Sequence, residues 1–143
     1  MKALSIRQPW AWLITHGLKP VENRTWSTAY RGELLIHASK EFDQAGLDSV
    51  LGNFPHLASR MPVEYSLGCV VGVATVTDCV QAHHSPWFTG PYGFVLRDAK
   101  PLQPRPFKGA LGLFEVPDEL MTSEIHKATP AEAEAAGGQE RLF

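Results

Sequence analysis

Residues 17–26 read GLKPVENRTW, and this stretch decides how the first part of the chain folds. From position 21 onward its residues alternate in a way that predicts a β-strand. The alternation places Glu22, Arg24 and Trp26 on one face of that strand. A carboxylate, a guanidinium and an aromatic ring therefore share one face, and Lys19 comes just before them.

The segment before this strand predicts a shorter strand followed by a helix. Residues 2–7 alternate between apolar and polar side chains, which favours a strand. Pro9 suits the first turn of a helix, because its fixed φ is helical and its missing N–H is not needed there. Apolar residues then recur with helical spacing, and Gly17 favours a helix end. We predict a helix over residues 9–16.

Strand patterns dominate the rest of the chain. The further predicted strands cover residues 33–38, 68–81, 92–97 and 111–116. Gly72 should mark a bend or bulge in the longest of them. Ser39 is expected to cap a second helix that runs to Leu51, and three prolines between positions 101 and 106 predict an extended connection. Five or six strands without alternating helices favour an α+β fold, a small mixed β-barrel with two or three flanking helices.

Length and composition favour one globular domain. The chain has 143 residues, of which 44% are hydrophobic and 20% charged, as is typical of a folded protein. Residues 1–117 carry eleven basic against nine acidic side chains, whereas residues 118–143 carry two against six. We therefore expect a slightly basic domain over residues 1–120 and a flexible acidic tail over residues 121–143.

Two further properties bear on the compartment. No apolar run reaches the roughly 18 residues that a membrane helix needs, and the N-terminus lacks a signal-peptide pattern. Cys69 and Cys79, if they lie on one strand, are about 33 Å apart and cannot form a disulfide with each other. We expect a cytoplasmic protein with reduced thiols.

Several common catalytic signatures are absent from the sequence. It contains no glycine-rich phosphate loop, no GxSxG, no HExxH and no paired CxxC. The adjacent His83 and His84, with Cys79 four positions earlier, match no common metal-site spacing. We therefore expect no metal and no cofactor.

Four motifs together resemble a known family. SIRQPWA at residues 5–11 precedes a run of the form G-x-K-x-x-E-x-R, which Gly17, Lys19, Glu22 and Arg24 match position for position. GPYGFVL at residues 90–96 and KGALGLF at residues 108–114 follow it. This pattern resembles the ASCH family, named for activating-signal-cointegrator homology, over residues 2–117. The resemblance implies a PUA-like barrel with a cleft between the first helix and the strand that carries the run.

The resemblance also implies that this cleft receives RNA, single-stranded nucleic acid or a modified nucleotide. Lys19 and Arg24 are suited to phosphate, Glu22 to a base edge or to holding the two cations, and Trp10 or Trp26 to stacking. The remaining candidate binding residues are Arg7, Gln8, Ser39, Lys40, Tyr92 and Lys108. The alternative is a Lys-Glu-Arg ion-pair network that only pins the helix to the sheet, with the tryptophans as core filling.

An enzymatic function is the second hypothesis. Some relatives are similar to amidohydrolases that deacetylate N4-acetylcytidine with a lysine near a threonine nucleophile. This chain has Lys19 but carries Glu22 where those enzymes have the threonine. Other ASCH proteins are ribonucleases, and the resemblance to them implies a second possibility. The alternative prediction is a hydrolase that acts on RNA or on an acylated nucleoside through Lys19 and Glu22.

The last five residues suggest a partner of another kind. They read QERLF and resemble the Q-x-x-L-F peptide that docks bacterial proteins on the DNA-polymerase sliding clamp. Gln139, Leu142 and Phe143 would be the contacting residues. An unstructured end without a partner is the alternative.

Overall fold

The computed structural model describes residues 1–121, which form an α+β fold with six strands. In chain order the elements are β1 (Lys2–Gln8), α1 (Trp10–Thr15), β2 (Val21–Arg24), β3 (Gly32–Phe42), α2 (Gln44–Asn53), a 3-10 helix (Pro55–Leu57), β4 (Cys69–Val80), β5 (Tyr92–Pro106) and β6 (Leu113–Glu115). Residues 122–143 are not described. The expected acidic tail, with Gln139, Leu142 and Phe143, therefore lies almost entirely outside the described residues.

The six strands form one sheet in the order β2-β5-β4-β3-β1-β6. Only β1 and β3 run parallel, and every other neighbouring pair is antiparallel. Within residues 1–121 the edge strands β2 and β6 each pair with a single neighbour. The sheet is therefore open, which corrects the expectation of a closed barrel: the strand order ends on two edges that do not hydrogen-bond to each other.

The longest strand is irregular where the sequence predicts a bulge. The pairing of β4 with β3 shifts beside Ile36, and its pairing with β5 shifts between Val70 and Gly72. A Cβ on Gly72 would lie 2.3 Å from Cγ2 of Thr15 and 2.7 Å from the carbonyl oxygen of Lys100. Gly72 is therefore the place where α1 packs directly on the backbone of the sheet.

Two predicted boundaries are wrong. Ser39 does not cap a helix, because β3 continues to Phe42, which pairs with Gln8 of β1. Asp43 caps α2 instead, and its carboxylate accepts a hydrogen bond from the backbone N–H of Gly46.

The predicted proline-rich connection after residue 97 is also wrong, because β5 runs on to Pro106. The second half of β5 pairs with β4 alone, because β2 pairs only with the part of β5 from Tyr92 to Val95. Proline lacks the N–H that a central strand needs but is tolerated along an open edge. The prolines therefore lie where β5 has no second neighbouring strand that would need a backbone N–H from them.

The core lies on both faces of the sheet. Leu4 and Ile6 of β1 pack on one face with Ile14 of α1, while Ala3 and Leu35 pack on the other face. A third cluster joins the two helices and contains Trp12, Leu13, Val50 and Leu57. Because α1 and α2 share this cluster, the two helices are packed against each other.

The described region contains no helix long and apolar enough to cross a membrane. Cys69 is buried and Cys79 half-buried, both lie on β4, and neither forms a disulfide bond. The prediction that these two cysteines do not pair is confirmed.

Candidate functional site

A cleft of about 670 Å³ opens where β1, α1, β2 and α2 meet the loop that precedes β5. Six of the eleven candidate residues line it: Arg7, Trp10, Lys19, Glu22, Arg24 and Trp26. Among the charged lining residues, three cations face two carboxylates. The cleft is therefore polar and slightly positive, and aromatic rings form part of its wall.

The Lys-Glu-Arg run forms a connected set of hydrogen bonds beside the cleft. Nζ of Lys19 donates to Oε1 of Glu22 at 3.1 Å and to the carbonyl oxygen of Val21 at 2.6 Å. Nε of Arg24 donates to Oε2 of Glu22 at 3.1 Å, and its Nη2 donates to the carbonyl oxygen of Ser5 at 2.8 Å. Glu22 thus bridges both cations, and Arg24 ties β2 to β1.

Exposure separates the roles of these three side chains. The Lys19 and Glu22 side chains are 4% and 9% exposed, whereas the Arg24 side chain is 22% exposed. A buried carboxylate between two cations is favourable only with such hydrogen bonding. Lys19 and Glu22 therefore fix the position of Arg24, whose guanidinium remains partly accessible from the cleft. The network expected as the alternative exists, and it lies beside an open cleft.

Asp43 adds a second carboxylate to the lining, and the sequence reasoning missed it. Its Oδ2 accepts from Nε1 of Trp10 at 2.9 Å, and its Oδ1 accepts from the N–H of Gly46 at 2.8 Å. These hydrogen bonds, that of Trp10 first, lower the pKa of Asp43 below its usual value despite partial burial. Nη2 of Arg7 lies 3.7 Å away, with its side chain 54% exposed. Arg7 is therefore the most exposed of the three cations that line the cleft.

Trp10 and Trp26, the two tryptophans predicted to stack on a base, both line the cleft, and each also packs against the hydrophobic core. The Trp10 ring has Nζ of Lys19 5.7 Å from its centroid, within cation–π range. The Trp26 ring meets Phe94 edge-on at a centroid distance of 5.2 Å. Both rings are half-buried, so each combines core packing with an accessible surface.

Three further lining residues, Phe54, Trp87 and Asn23, were not selected by the sequence reasoning. Trp87 stacks on Phe54 with a centroid distance of 4.5 Å and an interplanar angle of 22°. Asn23 joins β2 to the loop that carries Trp87, through hydrogen bonds at 2.9 to 3.1 Å. The position of Asn23 between Glu22 and Arg24 was the only sequence signal for it.

Five of the candidate residues lie outside the cleft lining. Gln8 is buried, where its side-chain amide accepts from the N–H of Trp12 and donates to the carbonyl of Ser66. The other four are Ser39 and Lys40 on β3, Tyr92 at the start of β5, and Lys108 in the loop before β6. Gln8 therefore orients α1 and the loop before β4, and does not line the cleft.

A buried histidine lies on β3, beside the strand whose carbonyl binds Arg24. Nδ1 of His37 is 3.0 Å from Oγ of Ser5, and its Nε2 is 2.6 Å from the carbonyl oxygen of Phe107. The histidine is 2% exposed. Because a carbonyl only accepts, Nε2 carries a proton, and in the neutral ring Nδ1 then accepts from the hydroxyl of Ser5. This chain of hydrogen bonds connects β1, β3 and the loop after β5.

No group of three His, Cys, Asp or Glu side chains within residues 1–121 is close enough to hold a metal ion. The cleft residues supply hydrogen-bond donors and acceptors, charges of both signs and aromatic surface.

Comparison with known proteins assigns the family. A model described as the ASCH domain matches residues 4–118. The chain belongs to the ASCH domain family, which confirms the resemblance found in its motifs.

Two curated proteins share recognisable sequence with the chain. Activating signal cointegrator 1 from Homo sapiens and its counterpart from Mus musculus are each 35% identical to it over 81 residues. These alignments cover 54% of this chain and 14% of each relative. The chain therefore spans only a small part of the length of the curated relatives it matches.

Solved structures support the fold. ASCH from Zymomonas mobilis aligns over 90% of this chain and 95% of its own, with a TM-score of 0.52 and 17% identity. A point variant of the same protein gives a TM-score of 0.54 at 17% identity, over 90% and 96% of the two chains. At this identity the likeness establishes the shared α+β architecture alone.

Proposed function

We propose that the cleft binds RNA through one or a few unpaired nucleotides. The ASCH family is generally associated with RNA binding. The observation that carries the proposal is the partly exposed guanidinium of Arg24, held in place by Glu22 at the edge of a 670 Å³ cleft.

The charges of the cleft suit a strand with exposed bases. Arg24 and Arg7 are accessible cations that can meet phosphate, and guanidinium groups match phosphate geometry. Asp43 offers carboxylate oxygens that can accept hydrogen bonds from a base edge. A purely electrostatic site would not need such acceptors or the aromatic wall, so both favour a nucleotide over a simple anion.

The test is binding of a labelled single-stranded RNA oligonucleotide, measured by fluorescence anisotropy at several salt concentrations. Arg7→Ala and Arg24→Ala should each weaken binding, and each should reduce the slope of log affinity against log salt by about 0.7. Arg60→Ala is the matched control, because Arg60 is exposed and lies outside the cleft. Equal affinities and slopes in all four proteins would contradict the proposal.

The hydrolase alternative stays a prediction. Lys19 and Glu22 form the pair that it requires, and each is nearly buried and already hydrogen-bonded to the other. Its test is incubation of the protein with RNA and with an acylated nucleoside, followed by product analysis. Turnover that persists in Glu22→Gln would remove this pair from the reaction.

A further inference from the structure

Two stacked rings, Phe54 and Trp87, form part of the cleft lining. Phe54 lies just after the end of α2, and Trp87 lies in the loop between β4 and β5. Their centroids are 4.5 Å apart, and both rings line the cleft while remaining half-buried. An aromatic surface that is already backed by a second ring is rigid, which lowers the entropy cost of stacking a ligand on it.

The side chain of Asn23 forms hydrogen bonds with the backbone of the loop that carries Trp87. Its Nδ2 donates to the carbonyl oxygen of Trp87 at 2.9 Å. Its Oδ1 accepts from the N–H of Thr89 at 2.9 Å and from that of Gly90 at 3.1 Å. These three hydrogen bonds join residues 64 to 67 positions apart in the chain. One side chain thus fixes the loop backbone on both sides of residue 88.

The same side chain lies between the two charged residues of the site. Asn23 follows Glu22 and precedes Arg24 on β2. β2 therefore carries both the buried carboxylate of Glu22 and the side chain that holds the Trp87 loop.

We propose that Trp87, backed by Phe54, is a stacking site for one unpaired nucleobase, and that Asn23 is the positioning residue that holds it in place. The inference rests on the proposed RNA binding and identifies an unpaired nucleobase as the part of the RNA that contacts Trp87. A base inside a duplex is covered on both faces by its neighbours, so this site selects single-stranded RNA or a strand end. Stacking tolerates any base, so the expected preference is for strandedness rather than for sequence.

The experiment compares affinities for a single-stranded RNA oligonucleotide and for the same sequence in a blunt duplex. Trp87→Ala should weaken single-strand binding by about 5- to 150-fold, the range for loss of one stacked base. Trp87→Phe should retain most of the affinity, because a ring remains. Duplex binding should be weak in the wild type and unchanged by either substitution.

A double-mutant cycle tests the role of Asn23. Asn23→Ala should weaken single-strand binding in the wild type but have no further effect when Trp87 is already alanine. Gln44→Ala is the matched control, because the side-chain amide of Gln44 is exposed, donates to Asp48 within α2 and lies outside the cleft lining. A merely structural effect of Asn23 would weaken binding equally in both backgrounds, and that result would overturn the positioning role.

Tryptophan fluorescence provides a readout that does not depend on the stability of the alanine variants. Stacking of a base quenches Trp87, so RNA should reduce the emission of the wild type more than that of Trp87→Phe. Equal quenching, together with unchanged affinity in Trp87→Phe and Trp87→Ala, would overturn the stacking site while RNA binding itself stands. No binding of RNA to the wild type would instead overturn the proposed function, and the stacking site with it.

Discussion

Nζ of Lys19 lies 3.1 Å from Oε1 of Glu22, and neither side chain is more than a tenth exposed. Ion pairs at the surface contribute little to stability, because water solvates the separated charges almost as well. A buried pair behaves differently, since removal of one partner leaves the other charged and desolvated. Glu22 also accepts from Arg24, so its loss leaves two cations without their shared carboxylate.

Glu22→Gln should therefore destabilise the protein by about 3–5 kcal/mol. The double variant Lys19→Met/Glu22→Gln should be less destabilised than Glu22→Gln alone, because the most buried cation is removed with its partner. Urea unfolding measures both. Asp78→Asn is the control, since its pair with Arg31 is exposed and worth at most about 1 kcal/mol. Equal destabilisation by Glu22→Gln and Asp78→Asn would contradict the prediction.

Asp43 should make stability depend on pH in the acid range. Because the folded structure lowers the pKa of this carboxyl, mainly through the hydrogen bond from Trp10, the fold favours its charged form. That stabilisation is fully present above the unfolded pKa of about 3.9 and is lost as pH falls through the lower folded pKa. The difference in unfolding free energy between wild type and Asp43→Asn should therefore shrink below about pH 4. A difference that stays constant down to pH 2 would contradict it.

Gly72 should not tolerate even a methyl group. Gly72→Ala places a Cβ 2.3 Å from Thr15 and 2.7 Å from the carbonyl of Lys100, and overpacking of this kind costs about 1–3 kcal/mol. Gly52→Ala is the matched control, because its added Cβ would meet no atom within 4 Å beyond the adjacent residues and the backbone of its own helix, and alanine is favoured in a helix by up to about 1 kcal/mol. Thermal or urea unfolding should move in opposite directions for the two variants.

The buried His37 should exist as the Nε2–H tautomer. Nitrogen-15 NMR of the imidazole should show the proton on Nε2, which donates to Phe107, and a bare Nδ1 that accepts from Ser5. Ser5→Ala leaves Nδ1 without that donor and should cost about 1–3 kcal/mol. Ser39→Ala removes a serine hydrogen bond that is exposed to solvent, so it should lower the free energy of unfolding by less. Protonation at Nδ1 in the wild type would contradict the prediction.

The sequence predicts much of the fold because most of its signals are local. The strand after Gly17, the helix before it and the bulge at Gly72 follow from alternation, helical spacing and glycine. The error at Ser39 arose because a good capping residue competes with tertiary pairing. Phe42 pairs with Gln8 of β1, and this contact, which no local pattern records, extends β3 beyond the serine.

Only the part of the site whose residues lie close together in the sequence could be predicted. Lys19, Glu22 and Arg24 lie within six residues, so their spacing alone brought them together. Trp87 and Asn23 are 64 positions apart, and no short-range pattern connects a loop tryptophan with a strand asparagine. The open sheet was missed for a similar reason, because whether two edges meet depends on the twist and register of all six strands.

The pairing of β1 also has a consequence for the order in which the protein is made. Lys2 pairs with Glu115, and Ala3 with Phe114, so β1, which precedes the other five strands of the domain in chain order, acquires one of its two neighbours only when synthesis of the domain is nearly complete. Until then this side of the nascent sheet exposes unpaired backbone groups, which invite association with other chains. Dependence on helper proteins during synthesis should therefore be greatest before β6 emerges.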